Sequence, residues 1–189
     1  ASNVLSPVSD NYKGLRAEIS KVRENTDGLL SVNIMLALTD SDELVRTALE
    51  EGVDMISLSA GLPIRRSPVL AECIRNHPST ALLLKVSSHR AIELVFKYWL
   101  RHYDSLPDGV IVEGPLAGGH LGFTREVLLE SPPELEDIVA KSLEVTRKYE
   151  AISGKEIPLL AAGGIFTGAD IRRFLSLGAS GALMATRFV

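Results

Sequence analysis

Between Glu113 and Phe123 the chain reads Glu-Gly-Pro-Leu-Ala-Gly-Gly-His-Leu-Gly-Phe, a stretch with one proline, four glycines and His120. His120 is set between Gly119 and Leu121, where little side-chain bulk would keep a ligand away. A neutral imidazole near pH 7 is suited to taking a proton from a carbon acid. A loop histidine can also serve only to hydrogen-bond its own turn, and the residues alone leave both readings open. The other histidines are weaker candidates: His77 precedes Pro78 in a turn, and His89 and His102 fall on a helix. No pair of histidines or acids stands at a ligand spacing beside His120, so a metal is not expected.

A second run, Ala161-Ala162-Gly163-Gly164-Ile165, is followed by a helical pattern and then by Leu177-Gly178-Ala179-Ser180-Gly181-Ala182, leading into Met184 to Arg187. Glycines after a strand let backbone N–H groups come close to a phosphate. In barrels, the loops after the last two strands, with a helix N-terminus, form the usual phosphate site. A Gly-Gly pair alone would be only a tight turn. A second strand end of small residues, about twenty positions on, favours phosphate binding without saying which phosphate.

The elements that must carry these loops alternate throughout. Helical spacing of Leu15, Ile19 and Val22 predicts a helix over 12–26. Strands are expected at 30–38, 54–59, 81–86, 109–113, 158–162 and 181–186. Helices are expected from Asp40 or Ser41 to Glu51, at 68–76, from a Ser88 cap to Tyr103, at 134–149 and at 168–177. Near-continuous apolar strands between helices imply a parallel sheet covered by helices. An open doubly wound sheet and an eight-stranded (β/α)8 TIM barrel both fit that pattern. Polar or glycine residues at the strand ends (Asn33, Ser59, Lys85, Glu113, Gly163 and Thr186) favour the barrel. A closed barrel has eight strands and about 250 residues. Six strands in 189 residues therefore lead us to expect further segments at both ends of one barrel domain spanning 1–189.

Composition narrows the class. Hydrophobic residues are 46% and charged residues 23%, as in an ordinary soluble protein. A net charge of −4, without basic stretches carrying aromatics, argues against nucleic acid as a partner. No run approaches membrane-spanning length, and residues 1–14 lack a signal-peptide layout, so a cytoplasmic location is expected. The single cysteine, Cys73, excludes an internal disulfide and is expected to be a buried structural thiol. Phe96, Tyr98 and Trp99 on one helix are expected to pack the core, or to form an interface in a homo-oligomer.

These motifs resemble the nitronate monooxygenase family, formerly grouped as 2-nitropropane dioxygenases, which includes flavin-dependent enoyl-acyl carrier protein reductases. The family's acidic-Gly, then Ala-Gly-Gly-His pattern matches Glu113, Gly114 and Ala117 to His120. Its Ala-Ala-Gly-Gly-Ile, helix, Leu-Gly-Ala, Gly-Thr-Arg-Phe pattern matches Ala161 to Phe188, and Val32 to Met35 fits its Val-Asn-Ile-Met. The resemblance runs from about Tyr12 to the chain's end. It implies that the six strands are the third to eighth of the barrel.

The resemblance further implies FMN as cofactor, with NAD(P)H as a candidate reductant and a small molecule as substrate. Asn33, Lys85 and Glu113 would contact the isoalloxazine or ribityl portion, and Gly118 and Gly119 would back the flavin. Gly163, Gly164, Ala185 and Thr186 would hold the phosphate, and His120 would be the base or proton donor. A lysine at a strand end can stabilise negative charge on a reduced flavin; without the resemblance, Lys85 would read as a charge reaching out from the barrel rim. Two departures stand out. Ala185 replaces the usual glycine, and 96–107 is longer than a minimal link.

The implied activity is oxidation of alkyl nitronates with oxygen. NAD(P)H-dependent reduction of an enoyl thioester or a quinone is the alternative within the same chemistry. A purine nucleotide dehydrogenase would need a cysteine on a glycine-rich loop, whereas Cys73 is expected on a helix. A non-catalytic barrel binding a phosphate ligand is the remaining class.

Overall fold

The computed structural model describes residues 11–188, so the expectation about a signal layout in 1–14 falls largely outside the described residues. The chain divides into two compact units, 1–82 and 83–189.

In the first unit the elements run α1 (Asn11–Arg23), β1 (Ser31–Met35), α2 (Ser41–Glu50), β2 (Met55–Ser59) and α3 (Pro68–Asn76). β1 and β2 pair in parallel, with Asn33 opposite Ser57 and Met35 opposite Ser59. Beyond that register, Ala60 takes a positive φ of 48°, which turns the partner chain away. The first strand therefore ends at Met35 rather than Leu38. Helix α2 buries Leu44, Val45, Ala48 and Leu49 along one stripe, and Gly52 leaves its end with φ 64°. Ser67 caps α3 by accepting the Leu70 N–H, with Pro68 in the first turn. Cys73 is buried on α3, as the sequence suggested.

Asp54 ties this unit together. Its carboxylate accepts from the Leu30 N–H at 2.7 Å and from Arg23 at 2.8 Å. These bonds, the Leu30 N–H first and Arg23 after it, hold the Asp54 carboxyl below its ordinary value. A lowered folded value means the stabilisation is complete above the ordinary value, about 3.8, and is lost as pH falls through the folded one. Asp54→Asn is thus expected to be less stable than the wild type at neutral pH. In denaturant titrations followed by circular dichroism, that gap should close on acidification. A gap that persists undiminished to about pH 2 would refute the assignment.

The second unit carries β3 (Ala81–Val86, entering from the unit boundary), α4 (His89–Tyr103), β4 (Gly109–Glu113), α5 (Arg125–Glu130), α6 (Leu135–Ser153), β5 (Leu159–Ala162), α7 (Gly168–Leu177) and β6 (Gly181–Leu183). Strands β3, β4, β5 and β6 pair in that order, all parallel. Ser88 caps α4 by accepting the Ala91 N–H. Phe96 and Trp99 on that helix are fully buried. Phe96 meets Tyr149 of α6 edge-on, with ring centroids 5.1 Å apart, so these aromatics build the core.

Three elements of this unit differ from expectation by more than one residue. The last strand covers three residues, Gly181–Leu183, and Thr186–Phe188 forms a 3-10 turn. The ladder stops because Ala162 pairs with Leu183 and the next residue of the partner, Gly163, swings to φ 98°. Ala185 and Thr186 consequently lie past the strand rather than at its end. Helix α6 runs on to Ser153, where Gly154 in the left-handed region stops it. Helix α5 was not foreseen. It is six residues long, buries none of them, and starts at a Thr124 cap. Among the described residues no helix is long and apolar enough to cross a membrane.

Candidate active site

The C-terminal ends of β4 and β5 bring the two glycine motifs into contact. The Gly114 N–H donates to the Ala162 carbonyl at 2.9 Å and extends the ladder by one bond. The Ala117 N–H then closes a turn on the Gly114 carbonyl at 3.1 Å. That turn lies on the second motif. A Cβ added to Gly163 would stand 2.9 Å from the Ala117 nitrogen, and one added to Gly164 would stand 2.8 Å from Leu116 Cδ1. Both glycines also hold positive φ, 98° and 74°. At Gly163 glycine is required twice over, by backbone conformation and by close approach to a backbone nitrogen, whereas at Gly164 the near atom is the tip of the exposed Leu116 and the positive φ decides.

Gly118 and Gly119 lie on the open side of the same loop. A Cβ at either would meet nothing within 4 Å, so a flat ligand could lie directly on the backbone. His120 follows them and is exposed. Among the described residues its imidazole has no hydrogen-bond partner, so it is not spent on bracing its own turn.

Below the loop, Lys85 of β3 and Glu113 of β4 form an ion pair with Nζ 3.3 Å from Oε1, each side chain only 16% exposed. Removing either partner from so sheltered a pair strands the other charge, so the two are mutually required. Asn33 lies in the other unit, as the middle residue of β1, and is exposed.

Two features were not anticipated. Thr167 and Asp170 form a capping box at the start of α7. Asp170 Oδ2 accepts from Phe166 N–H at 3.2 Å, Thr167 N–H at 2.8 Å and Thr167 Oγ1 at 2.8 Å. The Thr167 hydroxyl, followed by these N–H groups, lowers the Asp170 pKa. The positive end of α7 is therefore already occupied by a carboxylate of its own chain. The Thr-x-x-Asp spacing carried this signal in the sequence. The second feature is Ser87, just after β3, against which Gly122 rests; no short-range pattern announces such a contact.

A small cavity of about 100 Å³ lies against Gly163 and Gly164 and is also lined by Glu134, Glu136 and Arg173. Its arginine pairs with Glu136 at 3.0 Å and Asp170 at 3.6 Å. The acids there offset its one cation. Among the described residues no cluster of three metal-ligating side chains occurs.

The family model for nitronate monooxygenases matches residues 3–189. The chain belongs to that family. A curated nitronate monooxygenase of Pseudomonas aeruginosa is 39% identical over 82 residues, 43% of this chain and 21% of that protein. Over 98% of the chain it is 26% identical to a "(3aS,4S,5R,7aS)-5-hydroxy-7a-methyl-1-oxo-octahydro-1H-indene-4-carboxyl-CoA dehydrogenase" of Mycobacterium tuberculosis, covering 45% of that enzyme. Among solved structures, FabK from Thermotoga maritima superposes with a TM-score of 0.71 at 29% identity, over 94% of this chain and 48% of that one. The chain thus spans about half the length of the relatives it matches along nearly its whole length. Its fold is that of a β/α barrel, of which it carries six strands.

Proposed function

We propose that this chain forms much of the site of an FMN-dependent oxidoreductase that oxidises small alkyl nitronates with oxygen. The observation that carries the reading is the interlock of Leu116–Ala117 with Gly163–Gly164. It supports reading the histidine loop and the candidate phosphate turn as parts of one site.

The residues present suit FMN. Side-chain-free backbone at Gly118 and Gly119 suits a planar ring. The turn at Gly163 and Gly164, with Ala185 and Thr186 past β6, suits a phosphate. Because Asp170 already caps α7, the phosphate would be held by these backbone groups rather than by the helix end. The Lys85–Glu113 pair places a sheltered cation at the ends of the strands, where it would favour an electron-rich ring. Asn33 is assigned to the same cofactor by its place in the family pattern. Bound FMN would supply the electron acceptor.

For the chain's own part, His120 accepts the proton from the carbon next to the nitro group when the substrate arrives as a neutral nitroalkane. An imidazole near neutrality can hold that proton and return it to solvent. A nitronate has already lost it and needs no base.

A second reading is favoured by one observation: the Mycobacterium tuberculosis relative matched over 98% of the chain is named for a CoA thioester. There His120 would exchange a proton at a carbon of the acyl group, with NAD(P)H as reductant in the reductive direction.

Anaerobic mixing of the full protein with FMN separates the two. Ethyl nitronate is expected to bleach the flavin absorbance and NADH alone to leave it intact. Bleaching by NADH with no response to nitronate would refute the monooxygenase reading. A protein that takes up no flavin at all would refute both.

A further inference from the structure

We propose that Ser87 is a positioning residue for His120 and acts through Gly122. The inference rests on the reading of His120 as the proton-transfer group. Ser87 immediately follows β3, and Gly122 lies two residues beyond His120. A Cβ built on Gly122 would stand 2.6 Å from Ser87 Oγ and 2.8 Å from Ser87 Cβ. The hydroxyl can rotate aside. The Cβ cannot, because it is fixed to the end of a paired strand.

The other flank of the loop is held by Ala117 against Gly163 and by Leu116 against Gly164. Between the two holds lie Gly118 and Gly119, whose α-carbons have open space around them. Glycines bring no side chain to fix their own course and are conformationally permissive. The position of His120 is therefore set at its two neighbours, Ala117 on one side and Gly122 on the other. Of these, only the Gly122 contact reaches back to β3, the strand that bears Lys85. Ser87 thus fixes the distance between the imidazole and the Lys85–Glu113 pair.

Gly122 is not among the residues with positive φ. Alanine is conformationally permitted there, so Gly122→Ala tests the contact and not backbone strain. Misplacing a reacting group by about 1 Å costs roughly 100-fold in rate.

The test compares initial rates of the FMN-loaded full protein on nitroethane, which must lose a proton, and on ethyl nitronate, which has lost it. General structural damage slows both substrates alike and leaves their ratio unchanged. Gly122→Ala is expected to lower the nitroethane-to-nitronate ratio by about 10- to 100-fold. Adding Ser87→Gly to it removes the Cβ that the new methyl meets and should return the ratio most of the way. An unchanged ratio in Gly122→Ala overturns the inference, and so does a lowered ratio that Ser87→Gly does not restore. Should Gly122→Ala fail to fold, the double variant decides: a folded protein with the wild-type ratio supports the contact, and an unfolded one refutes it. His120→Ala is the control on the parent reading. If its ratio equals that of the wild type, the role of His120 is what fails. If His120→Ala lowers the ratio and Gly122→Ala does not, only the role of Ser87 fails.

Discussion

His120→Ala is expected to slow nitroethane turnover by about 100- to 10,000-fold, the usual worth of a positioned general base. Turnover of ethyl nitronate should fall far less, because that substrate brings no proton to remove. The imidazole is exposed at the end of a strand, is flanked by backbone without side chains, and makes no hydrogen bond among the described residues. Nothing in the fold depends on it, so the variant should melt like the wild type and retain FMN. Stopped-flow measurement of flavin reduction with each substrate separates the effects. Equal slowing on both substrates would show that the residue supports the ring or the loop and not the proton.

Gly163→Ala is expected to be the most damaging single methyl in the second unit. Its Cβ would stand 2.9 Å from a backbone nitrogen and 3.2 Å from the Ala117 Cβ, and neither can rotate away. A side chain at φ 98° adds conformational strain. The positive φ costs roughly 1–2 kcal/mol, and forcing in a methyl costs about 1–3 kcal/mol more. FMN affinity should fall together with stability, since the displaced turn is the proposed phosphate seat. Gly154→Ala provides the contrast. Gly154 also has positive φ, 68°, but a Cβ there meets nothing within 4 Å. It should lose only the conformational part and keep its FMN affinity. Thermal melts and FMN titrations of both variants make the comparison. Equal losses at the two positions would show that φ alone matters and that the interlock carries no weight.

How much of this was legible beforehand depended on the range of each cause. Helices α3, α4 and α7 were readable because their ends have local causes, although only the Ser88 cap of α4 was read from the sequence and the Ser67 and Thr167 caps were not. Strands β3 and β4 were readable because they are short apolar runs between polar breaks. Strand β6 was overestimated because its length is set by where β5 stops pairing, twenty residues away in the chain. Helix α5 was missed because it has no buried face to leave a periodic trace. At the site, His120 and both glycine pairs were visible as types in a pattern. The close approaches around them, Ala117 on Gly163 and Gly122 on Ser87, join residues far apart in the chain and left no trace in spacing.

The meeting of the two glycine turns also constrains how such a sequence can diverge. Leu116 and Ala117 stand in the space that side chains at Gly163 and Gly164 would need, and the positive φ of both glycines disfavours side chains there as well. The two glycines are therefore expected to drift slowly, and the segment that meets them with them. The stretch after His120 is under no such mutual constraint, since α5 buries none of its residues. New specificities in descendants of this chain are therefore expected to arise by changes between Phe123 and Pro133, with the two turns inherited almost unaltered.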